Sequence, residues 1–203
     1  MNATRWDALM AKFAFPSSEA TFAALEAAYS EPHRRYHNTR HIDDCIEQFE
    51  VLRPQADNPA AIELALWFHD SIYNPYARDN EGKSADWAAR FLIDAGASRN
   101  LTKLIRELIL ATRHDAAATS TDMAILIDVD LSILGSDSER YARFEQQVRE
   151  EYRWVPDFLY RRERRKILKS FLNRDRIFMT HEFFARYESS ARNNLMVAID
   201  ALG

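Results

Sequence analysis

At 203 residues, 47% of them hydrophobic and 29% charged, the chain can bury one sizeable core, and its composition is that of an ordinary soluble globular protein. A net charge of −4 does not imply a general nucleic-acid or anionic-membrane surface, although it leaves room for a local basic pocket. Four glycines and six prolines are few chain breakers, which favours long helices over a turn-rich β protein.

The single cysteine, Cys45, cannot form an intrachain disulfide, which fits a reducing compartment. The opening stretch MNATRWDALMAKFAF lacks the long apolar run of a signal peptide, and no stretch approaches the length of a membrane span. A cytoplasmic protein with no membrane partner is the expectation.

In chain order, residues 5 to 14 form a short amphipathic piece, and Ser17 and Ser18 can cap a helix running to about Tyr29 and stopped near Pro32. Asn38 is an N-cap for the next helix, with Asp43 and Asp44 in or near its first turn and Ile42, Cys45, Ile46 and Phe49 on its buried face. Asn58-Pro59 reads as a cap followed by proline at the first helical position. Ile62, Leu66 and His69 then share one face, so His69 extends an apolar stripe at the helix end.

Residues 71 to 82 read as a loop and about 83 to 95 as a helix closed by Gly96. Ser98 caps a further helix ending at TRHD. The segment DMAILIDVDLSILG, 122 to 135, is apolar nearly all round and therefore buried. Periodicity alone admits a strand over Ile125 to Val129. The helical reading puts Met123, Ile127, Asp130 and Leu134 on one stripe. SDSE, 136 to 139, is a capping box for another helix, and two more fill 157 to 173 and about 181 to 202. The expected fold is all-α, a compact multi-helix bundle in one domain over 1–203.

Four positions stand out against this apolar background: His41, His69, Asp70 and Asp130. An unpaired carboxylate on a buried stripe is costly, as is an ionisable pair at the end of a greasy helix. A divalent cation compensates both, and imidazole with carboxylate suits Mn, Fe, Co, Ni, Zn or Mg.

The ordered set of His41, the dipeptide His69-Asp70 and the acid of DVDLSILG resembles the HD superfamily of metal-dependent phosphohydrolases over roughly residues 36 to 135. The segments YHNTRHI, DNEGKSA and FLNRDRIFMTHEFFARYESSARNNL resemble a bacterial branch of predicted HD phosphohydrolases. The resemblance implies a helical fold around a metal held by His41, His69, Asp70 and Asp130. Of the two acids in DVD, both the stripe and the family pattern select Asp130, and Asp128 faces elsewhere. The implied reaction is hydrolysis of a nucleotide or other small phosphoester by a metal-activated water.

Glu81 and Asp79, on the loop after the HD pair, are the candidates to orient or deprotonate that water, with Asp70 a third from within the ligand set. His37, His114, Lys83 and Arg113 are candidates to line the pocket or bind phosphate. Tyr36, Trp67 and Tyr73 are candidates to stack a base, whereas RRERRK, 161 to 166, reads as a solvated helix face. Two other readings compete: an HD-type diiron oxygenase, which needs a fuller histidine set, and a non-catalytic metal- or nucleotide-binding module. A homo-oligomer is left open.

Overall fold

The computed structural model describes residues 1–16 and 18–203. Among them there is no strand. Ten helices follow one another: α1 Ala3–Lys12, α2 Glu19–Tyr29, α3 Thr39–Leu52, α4 Pro59–Phe68, α5 Asn80–Asp94, α6 Arg99–Ala111, α7 Thr121–Leu131, α8 Ser138–Glu151, α9 Asp157–Leu172 and α10 His181–Ala201. Short 3-10 turns occupy Arg53–Gln55 and Ser132–Gly135. No helix of the described residues is long and apolar enough to cross a membrane. The all-α expectation holds, and the strand alternative at 125 to 129 does not. The chain divides into two compact units, Met1–Ile127 and Asp128–Gly203.

In the first unit α4 is the central helix. Every residue from Ala61 to Phe68 is buried, and α1, α3, α5 and α6 all pack on it. Rings of Trp6, Phe22, Trp67, Phe68 and Phe91 interlock around it, Trp6 meeting Trp67 edge-on at 5.5 Å between centroids. Full burial of a ring such as Phe68 is worth about 1.5–3 kcal/mol of transfer free energy. The one carboxylate inside this helix, Glu63, is neutralised by Arg5 and Arg53. The entrance to α4 is held from a distance: the buried Asp122 carboxylate accepts hydrogen bonds from the backbone N–H of Asp57 and Asn58 and from Asn58 Nδ2. Asn58 and Pro59 occupy the cap and first-turn positions their types demand, and Asn38 caps α3 through Arg40 N–H.

Several boundaries differ from expectation. Ser17 lies outside the described residues; Ser18 occupies the N-cap position of α2, but its hydroxyl bonds Thr21 Oγ1 instead of a backbone N–H. α5 begins at Asn80, three residues before Lys83, so Glu81 and Gly82 lie in its first turn. Gly82 makes this start feasible because the Asp79 carboxylate folds over it, into the space a Cβ would fill.

In the second unit α10 packs on the 132–135 turn, α8 and α9. Gly135 permits the approach of the turn to α10, since a Cβ there would lie 2.8 Å from Tyr187 Cγ. The N-cap of α8 is Asp137, which accepts from Arg140 N–H; Ser136 instead bonds Ile133 C=O. Asp137 stands immediately before the helix and takes the cap, while the serine one residue earlier turns back to the preceding turn. Asp128 is fully buried and tethers the start of α10, accepting from Met179 N–H, Thr180 N–H and Thr180 Oγ1. Burial pushes its carboxyl up, against those three hydrogen bonds.

Candidate metal centre

His41 sits in the first turn of α3, and His69 occupies the C-cap of α4 with Asp70 immediately after it. The apolar stripe of each helix drives its histidine inward, leaving His41 and His69 4% and 1% exposed. His69 Nδ1 lies 2.9 Å from Leu66 C=O. A carbonyl only accepts, so Nδ1 carries the hydrogen, and the ring in its neutral form presents a bare Nε2.

That Nε2 is 3.1 Å from His41 Nε2 and 3.2 Å from Asp70 Oδ2, and His41 Nε2 is 3.5 Å from the same oxygen. The three atoms form a nearly equilateral triangle whose circumscribed radius is about 1.9 Å, just inside a metal–nitrogen or metal–oxygen bond of about 2.0–2.2 Å. The donor set therefore fits one small divalent ion. Burial pushes the Asp70 carboxyl up, but with no metal bound the rings of His69, His37 and His41, when protonated, outweigh it. They hold the carboxyl below the usual carboxylate range.

Cys45, one turn after His41, also approaches. Its Sγ is 3.7 Å from both His41 ring nitrogens. Equal distances to Nδ1 and Nε2 put the sulfur against the ring rather than along the Nε2 lone pair. In the sequence Cys45 is one of four apolar positions on the buried face of α3, with nothing to separate it from Ile42 or Ile46.

Two further residues build the site without any signal in the motif pattern. The Arg34 side chain is 1% exposed. It donates to the carbonyl oxygens of His37 (3.1 Å), Asp70 (2.6 Å) and Ser71 (3.0 Å), and lies between the rings of Tyr29 and Tyr73. It ties the segment entering α3 to the segment leaving α4. The fully buried Tyr29 hydroxyl donates to Trp67 C=O and accepts from Asp70 N–H, satisfying orphan groups at the end of α4. Burial, followed by the Asp70 charge, raises its phenol well above the ordinary value.

His37 belongs to the same neighbourhood: its ring stacks on Tyr73 at 4.2 Å and meets His41 edge-on at 6.0 Å. Tyr36 lies 4.8 Å from the His41 ring. Trp67, by contrast, is 1% exposed in the aromatic core and cannot stack a base. Asp79, Glu81 and Arg113 gather into a group of their own. Arg113 bonds Asp79 and stands 3.9 Å from Glu81. A carboxylate engaged with a guanidinium must release it before it can take a proton from water. Lys83 is exposed on α5, and His114 follows α6 in a left-handed conformation, φ 56°. Asp130 lies half-buried in the last turn of α7, within the second unit.

Comparison with protein-family models, with curated proteins and with solved structures gives no match.

Proposed function

We propose that the protein is a metal-dependent phosphohydrolase acting on a nucleotide or other small phosphoester. The observation that carries the reading is the His41–His69–Asp70 triangle, whose size matches one divalent ion and whose His69 tautomer leaves the lone pair facing it. The ordered residues His41, His69-Asp70 and Asp130 resemble those of the HD superfamily, and that resemblance supplies the reaction type.

Asp130 is assigned as the fourth ligand. With His41, Cys45 and His69 it is one of four residues that could hold a metal ion.

A bound divalent ion would lower the pKa of a bound water and polarise a phosphoryl oxygen. The residues of the chain orient and neutralise. Leu66 C=O fixes the His69 ring, Arg34 and Tyr29 fix the Asp70 backbone, and Asp70 supplies negative charge within the ligand set. Asp79 or Glu81 would orient the water once Arg113 turns to substrate phosphate, an exchange of one anion for another on the same guanidinium.

The test is a panel of nucleotides and phosphoesters with Mn, Co, Ni, Zn or Mg added. The reading predicts metal-dependent release of phosphate that is abolished in Asp70→Ala. Oxygen-dependent turnover of an iron-loaded protein would support the diiron reading in its place. Metal binding without turnover across the panel would support a binding module.

A further inference from the structure

The second unit carries a feature that the metal centre does not use. α9 holds six cations against two acids in a chain of net charge −4. Phe158, Arg161, Arg162, Arg165, Lys166 and Lys169 fall within an arc of about 140° at 100° per residue. Buried Leu168 and Tyr160 lie outside this arc.

The face is also concave. The same six residues, with Leu202 and Gly203, line a groove of about 430 Å³, and no Asp or Glu lines it. The neighbouring acids are already committed: Asp157 pairs with Arg161, and Glu163 with Arg162 and Lys166. Arg165 and Lys169 have no ion pair with an Asp or Glu among the described residues. Arg165 gives Nη1 to Gly203 C=O at 2.7 Å, while its Nε–H is buried without an acceptor. A solvated face would leave that donor to water. Here it is buried with its hydrogen-bonding capacity unmet.

We propose that this groove is an anion site for a small molecule bearing several phosphates, distinct from the metal centre. Five cations spaced along one face match a chain of phosphates better than a single one, and Arg165 and Lys169 provide its two contacts that no Asp or Glu engages. Phe158, 71% exposed at the rim, offers a ring on which a nucleoside base can stack.

The probe is tripolyphosphate, titrated calorimetrically into the full chain at low salt, with a nucleoside triphosphate measured beside it. Saturable binding that weakens as salt is raised is expected. Arg165→Gln with Lys169→Gln should weaken it by on the order of tenfold or more, since two charge-assisted contacts are lost, while His69→Gln leaves it unchanged. If Phe158→Ala weakens only the nucleotide, the natural source is a nucleotide; equal behaviour of both probes points to an inorganic polyphosphate. Absence of binding at millimolar tripolyphosphate, unchanged affinity in the double variant, or loss of binding in His69→Gln would each overturn the site.

Discussion

Arg34→Met removes the guanidinium that ties the two arms of the metal centre while keeping an apolar stem between Tyr29 and Tyr73. Three bonds to backbone carbonyls are lost, at 2.6, 3.0 and 3.1 Å. The contact with Glu31 is discounted because Glu31 is 46% exposed. Bonds from a charged donor are worth about 1.5–3 kcal/mol each, but the variant also escapes the cost of burying the charge. The net loss expected for breaking such a buried polar group is about 3–5 kcal/mol. For a chain of this length each kcal/mol shifts the midpoint by about 2–4 °C, so thermal unfolding should occur roughly 6–20 °C lower. Arg34→Lys keeps the charge but cannot span three carbonyls, and should fall between the two. Circular dichroism melts check stability, and cobalt titration of the folded variants checks the site. Released carbonyls at His37, Asp70 and Ser71 let the ligands drift, so cobalt affinity should fall on the order of tenfold even where the helices remain intact. A melting loss below about 1 kcal/mol, or full cobalt affinity in Arg34→Met, would refute the account of how the centre is held.

Two further outcomes separate structure from chemistry. Asp128→Asn replaces an acceptor of three hydrogen bonds with an amide that turns a donor toward backbone N–H groups. Urea unfolding should show a loss of about 1–3 kcal/mol with metal content unchanged, whereas Asp130→Asn should lower metal content with little loss of stability. Burial raises the phenols of Tyr29, Tyr141 and Tyr160, the last to about 12. A folded-state pKa above the unfolded value near 10 means that the stability from the neutral phenol is intact below pH 10 and lost as pH rises toward 12. Urea midpoints measured from pH 9 to 11.5 should fall with a slope of up to about 1.4 kcal/mol per pH unit for each tyrosine. Tyr160→Phe should flatten that slope.

The sequence reads best where one residue type has one local use. Asn38, Ser98, Pro59 and Gly96 mark helix ends because capping and left-handed geometry are satisfied within four residues of chain. His69 is legible as the polar extension of an apolar stripe, a pattern that survives folding because it reports burial, whereas His41 stands out only through the ordered motif. The start of α5 was misjudged because Asp79 closes over Gly82, a contact between side chain and backbone that glycine content alone reads as a loop. Trp67 shows the same limit from the other side: beside the HD pair in sequence, it points into the core between Trp6 and Phe22. Arg34 and Tyr29 had no periodic or motif signal at all. Their partners are backbone groups 36 to 41 residues away, and no property of the local sequence announces a bond to a distant carbonyl.

Metal analysis of the purified chain, beside His69→Ala and Asp70→Ala, tests the central claim most directly. The account predicts one equivalent of a divalent transition metal in the parent chain after reconstitution. It predicts well under a tenth of that in either variant, with helical circular dichroism retained. Stoichiometric metal in the two variants, or none in the parent chain reconstituted with Mn, Fe, Co, Ni and Zn in turn, would contradict it.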